Sequence, residues 1–287
     1  MEEKLIRLDM EAPEEAYDVV TGLLTLMVST GWEELSLENG NTLFRVHCAN
    51  AGLIQDVRQA VSASVPEVSC STDSIVAQDW LNSWKEFFTP VPCGKRFVVL
   101  PPWLKDTAAR DYPGRQAIVI EPKSAFGTGH HVTTALCLAA LSDLLDEGRI
   151  NAGQTFLDLG TGSGVLGLGL CLSGLAGEGW DIDPLSMDNA LENRVGNGLE
   201  EAQFPLGLGS VDKVAGRRFD VVVANILARP LIEMAPELAA CVKPGGVLVL
   251  SGILGIQADG VAQAYTACGL GQPARVNSGE WAALVWK

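Results

Sequence analysis

The sequence predicts an α/β protein: a doubly wound, mostly parallel sheet preceded by a small α+β domain. Three observations predict it. From residue 126 onward, short apolar runs rich in Val and Leu alternate with stretches of helical spacing. The first of these runs, Thr155–Leu159, passes straight into Gly160-Thr161-Gly162-Ser163-Gly164, a strand–turn–helix signature. Upstream of residue 76 the order instead reads strand, helix, strand, strand, helix, strand.

The N-terminal part, 1–75, starts with alternation over Lys4–Asp9, a strand. Pro13–Ser29 has helical spacing, with Pro13 and two acids at its start, as helix N-termini prefer. Gly31–Leu37 and Thr42–Cys48 flank Glu38-Asn39-Gly40-Asn41, a hairpin signal. A helix over Ala51–Ser64 and a strand over Val65–Ile75 complete a ferredoxin-like order. Residues 76–125 read as a connector. It holds a short helix, Asp79–Phe88, whose Trp80 and Trp84 share one face as packing residues. Two extended runs follow, Phe97–Leu100 and Ala117–Glu121, amid several prolines.

The third part, 126–287, carries the alternation. Helix Val132–Leu145 leads to strand Thr155–Leu159, the glycine-rich turn and a helix. Strand Gly177–Ile182 precedes helix Pro184–Asn197, strand Phe219–Ala224 precedes helix Pro230–Val242, and strand Val247–Ser251 precedes helix Ile256–Cys268. Lys243-Pro244-Gly245-Gly246 reads as a turn. Ala274–Asn277 and Trp281–Trp286, joined by Ser278-Gly279-Glu280, form a closing hairpin that makes the last strand antiparallel to its neighbour.

Composition bounds the function. The 287 residues are 47% hydrophobic and 19% charged, enough to bury a core. A net charge of −15 disfavours a broad basic grip on nucleic acid and favours a basic protein or a cationic small molecule as partner. The charge is uneven: −9 over residues 1–75, +2 over 76–125 and −8 over 126–287. The start, MEEKLIRLDM, lacks the basic and apolar regions of a secretory signal, and no apolar run is long enough for a membrane span. The 7 cysteines form no C-x-x-C pair and read as reduced, mostly buried thiols of a cytoplasmic protein. A monomer is expected.

Ligands on open α/β sheets bind at the carboxyl ends of the strands, which places the glycine-rich turn at the site. Gly160 and Gly162 allow close backbone approach there. Gly162, Gly164 and Gly167 also satisfy the dinucleotide fingerprint. Asp181, ending the second strand, suits a ribose diol in either case. Asp158 divides the alternatives: its carboxylate would repel a pyrophosphate and favour the sulfonium and ammonium of S-adenosylmethionine, unless it only caps loop N–H groups. Asn225, at the end of the third strand, is either a turn residue or an amide that accepts an N–H from a substrate amine. Upstream, Ala125-Phe126-Gly127-Thr128-Gly129-His130-His131 precedes a helix and reads as a loop over the cofactor, with Thr133 or Thr134 reaching the ligand. Adjacent histidines do not share a face, and no Cys or acid completes a ligand set, so no metal is expected.

Taken together, AFGTGHHVTTALCL, FLDLGTGSGVLGL, WDIDPLSMDNALENR, FDVVVANILARPLIEMAPELAACVKPGG and GEWAALVWK resemble the ribosomal protein L-eleven methyltransferase family, PrmA. The connector DWLNSWKEFFTPVPCGKRFVVLPPW is similar to that family's linker, so the resemblance covers residues 76–287. It implies a class I S-adenosylmethionine-dependent methyltransferase with a seven-stranded sheet and an N-terminal substrate-recognition domain. It further implies cofactor contacts from Thr134, Gly160, Asp181 and Asn225. The implied substrates are lysine side chains and the N-terminal amine of the ribosomal protein. Phe126 and Gly127 would then help to exclude water, and Asn225 would orient the amine. The sequence departs from the family at Thr161, where many members carry Cys. It also places Gly167 and Gly169 in a helix, each about 1 kcal/mol worse than Ala. The N-terminal domain matches in arrangement rather than in letters. Other readings of the residues are a methyltransferase for another amine or amide, a nicotinamide-dependent dehydrogenase, and a binding module without catalysis.

Overall fold

A computed structural model describes residues 4–28, 32–37, 39–48, 50–76, 88–122 and 131–287. The helix expected at Asp79–Phe88, with Trp80 and Trp84, lies outside these residues except for its last position. The chain divides into two compact units, Met1–Phe87 and Phe88–Lys287.

In the first unit, β1 (Lys4–Ala12), α1 (Tyr17–Met27), β2 (Glu33–Ser36), β3 (Thr42–Cys48), α2 (Ala51–Ser64) and β4 (Ser69–Val76) follow in the expected order. The antiparallel sheet runs β2-β3-β1-β4. Alternation decides its faces. Leu8, Met10, Phe44 and Val46 are buried with Val20, Leu24, Val57 and Val61 of the helices. Between them Arg7, Asp9 and Arg45 form an ion-paired row, with Asp9 2.8 Å from Arg45. Asn50 caps α2, its side-chain oxygen accepting from the N–H groups of Gly52 and Leu53. The last strand starts later than the pattern suggests. Pro66 has no N–H to give to a ladder, and Val68 N–H closes a turn onto Val65 instead.

The second unit opens with a small sheet, β5 (Val91–Cys93), β6 (Phe97–Leu100) and β7 (Gln116–Val119), with the short helix α3 (Ala108–Asp111) before β7. Phe97, Val99, Ile118 and Ile120 share one core with α4 (Val132–Asp146) and α5 (Val165–Leu172). Ser142 of α4 ties the β5–β6 turn to that helix by accepting from the N–H groups of Lys95 and Arg96.

The main sheet has seven strands in the order β10-β9-β8-β11-β12-β14-β13. These are β8 (Thr155–Leu159), β9 (Ala176–Asp181), β10 (Leu206–Leu208), β11 (Phe219–Asn225), β12 (Val242–Leu254), β13 (Ala274–Ser278) and β14 (Trp281–Trp286). The first five in this order are parallel, and β14 enters antiparallel between β12 and β13. Both faces of its centre are covered, so β8, β11 and β14 are largely apolar, whereas the edge strand β13 is exposed. Phe156, Val221, Val223 and Val249 face α4 and α5. Leu157, Val222, Leu248 and Leu250 face α7 (Ala228–Glu233), α8 (Ala235–Ala240) and α9 (Ala258–Ala267). Helix α6 (Pro184–Gly196) follows β9.

Three details depart from the sequence expectation. The helix expected over Pro230–Val242 is two, because Pro236 cannot donate the hydrogen bond that would carry α7 into α8. Lys243-Pro244-Gly245-Gly246 is not a free turn but a bulge inside β12: Val242 pairs with Phe219 and Val247 with Val221, and the tetrad loops out between. Strand β10 was not expected, since Leu206-Gly207-Leu208 is too short and glycine-rich to show a period.

The two helix glycines also have a reason. A Cβ on Gly167 would lie 2.1 Å from Phe204 Cζ, so the glycine is what lets that buried ring pack against α5. Gly169 faces Ile118 and Leu138 at 3.1 and 3.2 Å in the same sense.

Candidate active site

The sheet order reverses between β8 and β11, which open away from each other to adjacent strands on either side. Such a switch point leaves a crevice outside the carboxyl ends of the strands. A cavity of about 440 Å³ lies there, walled by the ends of β8, β9, β11 and β12. Of the residues expected at the site, Gly160, Gly162, Asp181 and Asn225 line it. Phe126 and Gly127 lie outside the described residues, as do Thr128, Gly129 and His130.

The glycine-rich turn is shaped by backbone conformation. Gly160, Gly162 and Gly164 all have positive φ, at 70°, 55° and 83°. At Gly160 a Cβ would also stand 2.3 Å from Ile226 Cγ2, so only glycine fits between the two strand ends. Asp181 holds the turn from the next strand. Its Oδ2 accepts from Gly162 N–H at 2.8 Å, and its Oδ1 accepts from Asp183 N–H at 3.0 Å. A carboxylate has about four acceptor positions, so two remain.

Asp158 sits behind the turn. It is fully buried and absent from the cavity wall. Its Oδ2 accepts from Thr161 Oγ1 at 2.8 Å and from Gly167 N–H at 2.9 Å. These bonds join the strand, the turn and α5, which is the capping arrangement weighed in the sequence. Burial pushes its carboxyl up to about 6, against the pull of the two hydrogen bonds. Its Oδ1 has no hydrogen-bond partner.

Across the crevice Asn225 ends β11, 9% exposed. Its Nδ2 donates to Thr134 Oγ1 at 3.2 Å. The amide is thereby oriented, and its Oδ1 has no hydrogen-bond partner among the described residues. Thr134 itself is fully buried in the first turn of α4 and is absent from the cavity wall, whereas Thr133 lines it. His131 lines it too. Its Nδ1 caps α4 by accepting from Thr133 N–H and lies 2.7 Å from Thr133 Oγ1. The imidazole meets Trp281 edge-on, centroids 4.9 Å apart.

Sequence reasoning missed Ser210, Met234 and Trp281 in the wall. Ser210 follows the unrecognised β10, and Met234 sits at the break between α7 and α8. Trp281 was within reach. The closing hairpin makes β14 antiparallel, so its first residue, paired with Leu254, arrives where the parallel strands end.

Cysteine chemistry plays no visible part. All seven thiols are free; Cys93, Cys137, Cys171 and Cys241 are buried, and burial pushes Cys93 and Cys171 up to about 12. Among the described residues no group of His, Cys, Asp or Glu side chains is placed to hold a metal, and no helix is long and apolar enough to cross a membrane.

The sheet order, the glycine-rich turn at the switch point and the antiparallel seventh strand define a class I methyltransferase, the S-adenosylmethionine-dependent class. The family model described as Ribosomal protein L11 methyltransferase (PrmA) matches residues 24–287. The chain belongs to that family. A ribosomal protein L11 methyltransferase of Pseudomonas aeruginosa (strain LESB58) is 39% identical over 226 residues, 78% of this chain and 72% of that protein. The one from Myxococcus xanthus (strain DK1622) is 36% identical and spans 99% of both chains. The crystal structure of a ribosomal protein L11 methylase from Lactobacillus delbrueckii subsp. bulgaricus superposes with a TM-score of 0.59 at 27% identity, over 70% of this chain and 98% of that one.

Proposed function

We propose that this protein transfers methyl groups from S-adenosylmethionine to lysine side chains and the N-terminal amine of ribosomal protein L11. The observation that carries the reading is the Asn225 amide: oriented by Thr134, lining the cavity, with a buried oxygen that no hydrogen bond satisfies. A buried acceptor left unpaired costs about 1–3 kcal/mol, so such an oxygen points to a donor that arrives with a ligand.

The residues present fit the cofactor. Asp181 has two acceptor positions left for the hydroxyls of a ribose. The bare backbone of Gly160 and Gly162 admits close approach. Leu159 and Ile182 give apolar wall. When bound, S-adenosylmethionine supplies an activated methyl group on a sulfonium. The chain's own part is then to present a neutral amine in line with it. A free lysine, with a pKa near 10.4, is uncharged about once in a few thousand at pH 7. Ile226, Leu227, Pro230, Met234 and Trp281 make the other wall apolar, which lowers an amine's pKa by desolvation. Asn225 Oδ1 accepts one N–H, which turns the nitrogen lone pair toward the methyl carbon. Phe126 and Gly127 complete the water-excluding wall in this reading. His131, with Nδ1 committed to the helix cap, shapes the wall rather than taking a proton. Asp158 and Thr134 act from behind it, one on the turn and the other on Asn225.

We assign residues 1–75 as a ferredoxin-like substrate-recognition domain, 76–125 as a connector and 126–287 as the catalytic domain of a cytoplasmic monomer that makes no broad contact with nucleic acid. The net charge of the first segment, −9, favours a basic protein substrate. The test is incubation with isotopically labelled S-adenosylmethionine and purified ribosomal proteins, followed by mass analysis. Label on L11 is expected; label on another protein alone would overturn the substrate assignment. Binding of NAD but not of S-adenosylhomocysteine would overturn the cofactor.

A further inference from the structure

Helix α6 and its C-cap carry asparagines at positions 189, 193 and 197, about one turn apart on one face. They face β7, which is an edge strand: β6 pairs with only one side of it. Beyond the sheet, Ile120 N–H still reaches Leu100 on the β6 side. The alternate residues, Val119 and Glu121, turn their backbone groups the other way, where no strand exists to receive them. The asparagines do so instead. Asn197 accepts from Val119 N–H at 2.9 Å and donates to its carbonyl at 2.7 Å. Asn193 accepts from Glu121 N–H at 2.8 Å. A helix thus supplies the missing ladder from side chains.

Asn193 does one thing that Asn197 does not. Its Nδ2 donates at 2.9 Å to the carbonyl of Ser163, inside the glycine-rich turn, and the side chain is 2% exposed. One amide therefore joins two segments far apart in sequence. One is the turn whose Gly160 and Gly162 line the cavity. The other is the strand end at Glu121, just beyond β7. The same helix is anchored at its start beside Asp181, through the Asp183 cap and the Asp183 N–H bond to Asp181.

We propose that Asn193 is a positioning residue for cofactor binding, holding the glycine-rich turn in register with the strand end at Glu121. The proposal rests on the reading of that cavity as the S-adenosylmethionine site. It touches no reacting atom and acts through Ser163 and Glu121.

Asn197 is the internal control, since it makes the strand bonds without the bond to the turn. Asn193→Ala, Asn193→Asp and Asn197→Ala would be compared by calorimetric titration with S-adenosylhomocysteine and by thermal unfolding. Asp at 193 keeps an acceptor for Glu121 N–H, while its ionised form cannot donate to Ser163 and sets a charge against that carbonyl, so it acts chiefly on the bond to the turn. Expected is a rise in Kd of about tenfold or more for both 193 variants, and less than about twofold for Asn197→Ala, whatever the loss in melting temperature; tenfold corresponds to about 1.4 kcal/mol. If Asn193→Ala does not fold, Asn193→Asp alone is set against Asn197→Ala. Equal Kd values for the 193 and 197 variants, or a Kd that follows melting temperature across them, would overturn the proposal. Failure of the wild-type protein to bind S-adenosylhomocysteine would instead remove the cofactor assignment beneath it.

Discussion

The two walls of the cavity are built differently. On the β8–β9 side, polar groups are spent on the protein's own turn and strand ends: Asp181 on the N–H groups of Gly162 and Asp183, Asp158 on the Thr161 hydroxyl and Gly167 N–H, Asn193 on the backbone of Ser163 and Glu121. On the β11 side, one amide that lines the cavity is held by a single bond, which it donates to Thr134, and its buried oxygen is left unpaired among the described residues. The first wall is arranged to keep a shape and the second to meet a reactant. Damage to the first should therefore be read in stability and cofactor affinity, and damage to the second in turnover.

Asn225→Ala is the largest expected break. Turnover should fall about 10²–10³-fold, as when a preorganised hydrogen-bonding group is removed from a reacting centre. Affinity for S-adenosylhomocysteine should change by less than about tenfold. Single-turnover methyl transfer alongside titration separates the two, and unchanged turnover would take Asn225 out of the mechanism.

Behind the opposite wall the largest effect belongs to Asp158, and it is a matter of pH. Burial pushes its carboxyl from the ordinary 3.8 up to about 6 in the folded chain. Between those values the folded chain keeps a proton that the unfolded chain has lost, so stability falls as pH rises through the window and then levels off. The whole step is about 3 kcal/mol at 1.36 kcal/mol per unit. Asp158→Asn should remove that slope, measured as urea unfolding free energy at pH 4 and pH 7. Parallel slopes for the two proteins would show that Asp158 carries no such cost.

Gly167→Ala should cost about 1–3 kcal/mol by overpacking Phe204, and the added substitution Phe204→Leu should recover part of it. Additive losses in that cycle would mean that the ring and the helix do not meet as described. The smallest effect lies outside both walls. Among the acids of the first unit, Glu11 is engaged by Asn39 and Asn41, Glu34 by Tyr17 and Trp32, and Glu33 by Arg45 and His47. Glu14 and Glu15 are exposed and form no ion pair among the described residues. Replacing both by Gln should lower kcat/KM for the protein substrate by less than about threefold at low salt and not at all near 0.5 M, where charges more than a few ångströms apart are screened. An effect that persists at high salt would point to direct contact rather than steering.

How much of this was legible in the sequence differs between the walls. The order of strands and helices could be read because both follow from the period of apolar residues. Gly160, Gly162 and Asp181 could be found because a turn that needs positive φ, followed by an acid ending the next strand, leaves local signals. Asn225 could be placed at a strand end, but its partner Thr134 is 91 positions away in sequence and no local pattern joins them. Asp158 looked like a ligand contact because it stands beside the turn. Strand parity points it inward instead, onto the same face as Phe156. The asparagines of α6 were visible as letters, but their use depends on which edge of β7 stays open, a matter of tertiary topology. The break at Pro236 was legible and was overlooked, since proline within a helical pattern is itself the signal.

The insertion of β14 between β12 and β13 has a consequence for biogenesis. A chain emerging from the ribosome makes its N-terminal parts available first. The strand made last among those described is an interior one, so β12 exposes an unpaired edge until Trp281–Trp286 has been synthesised. The same strand brings Trp281 to the cavity wall. Completing the sheet and completing that wall are therefore one event, and a nascent chain stalled before Trp281 has neither.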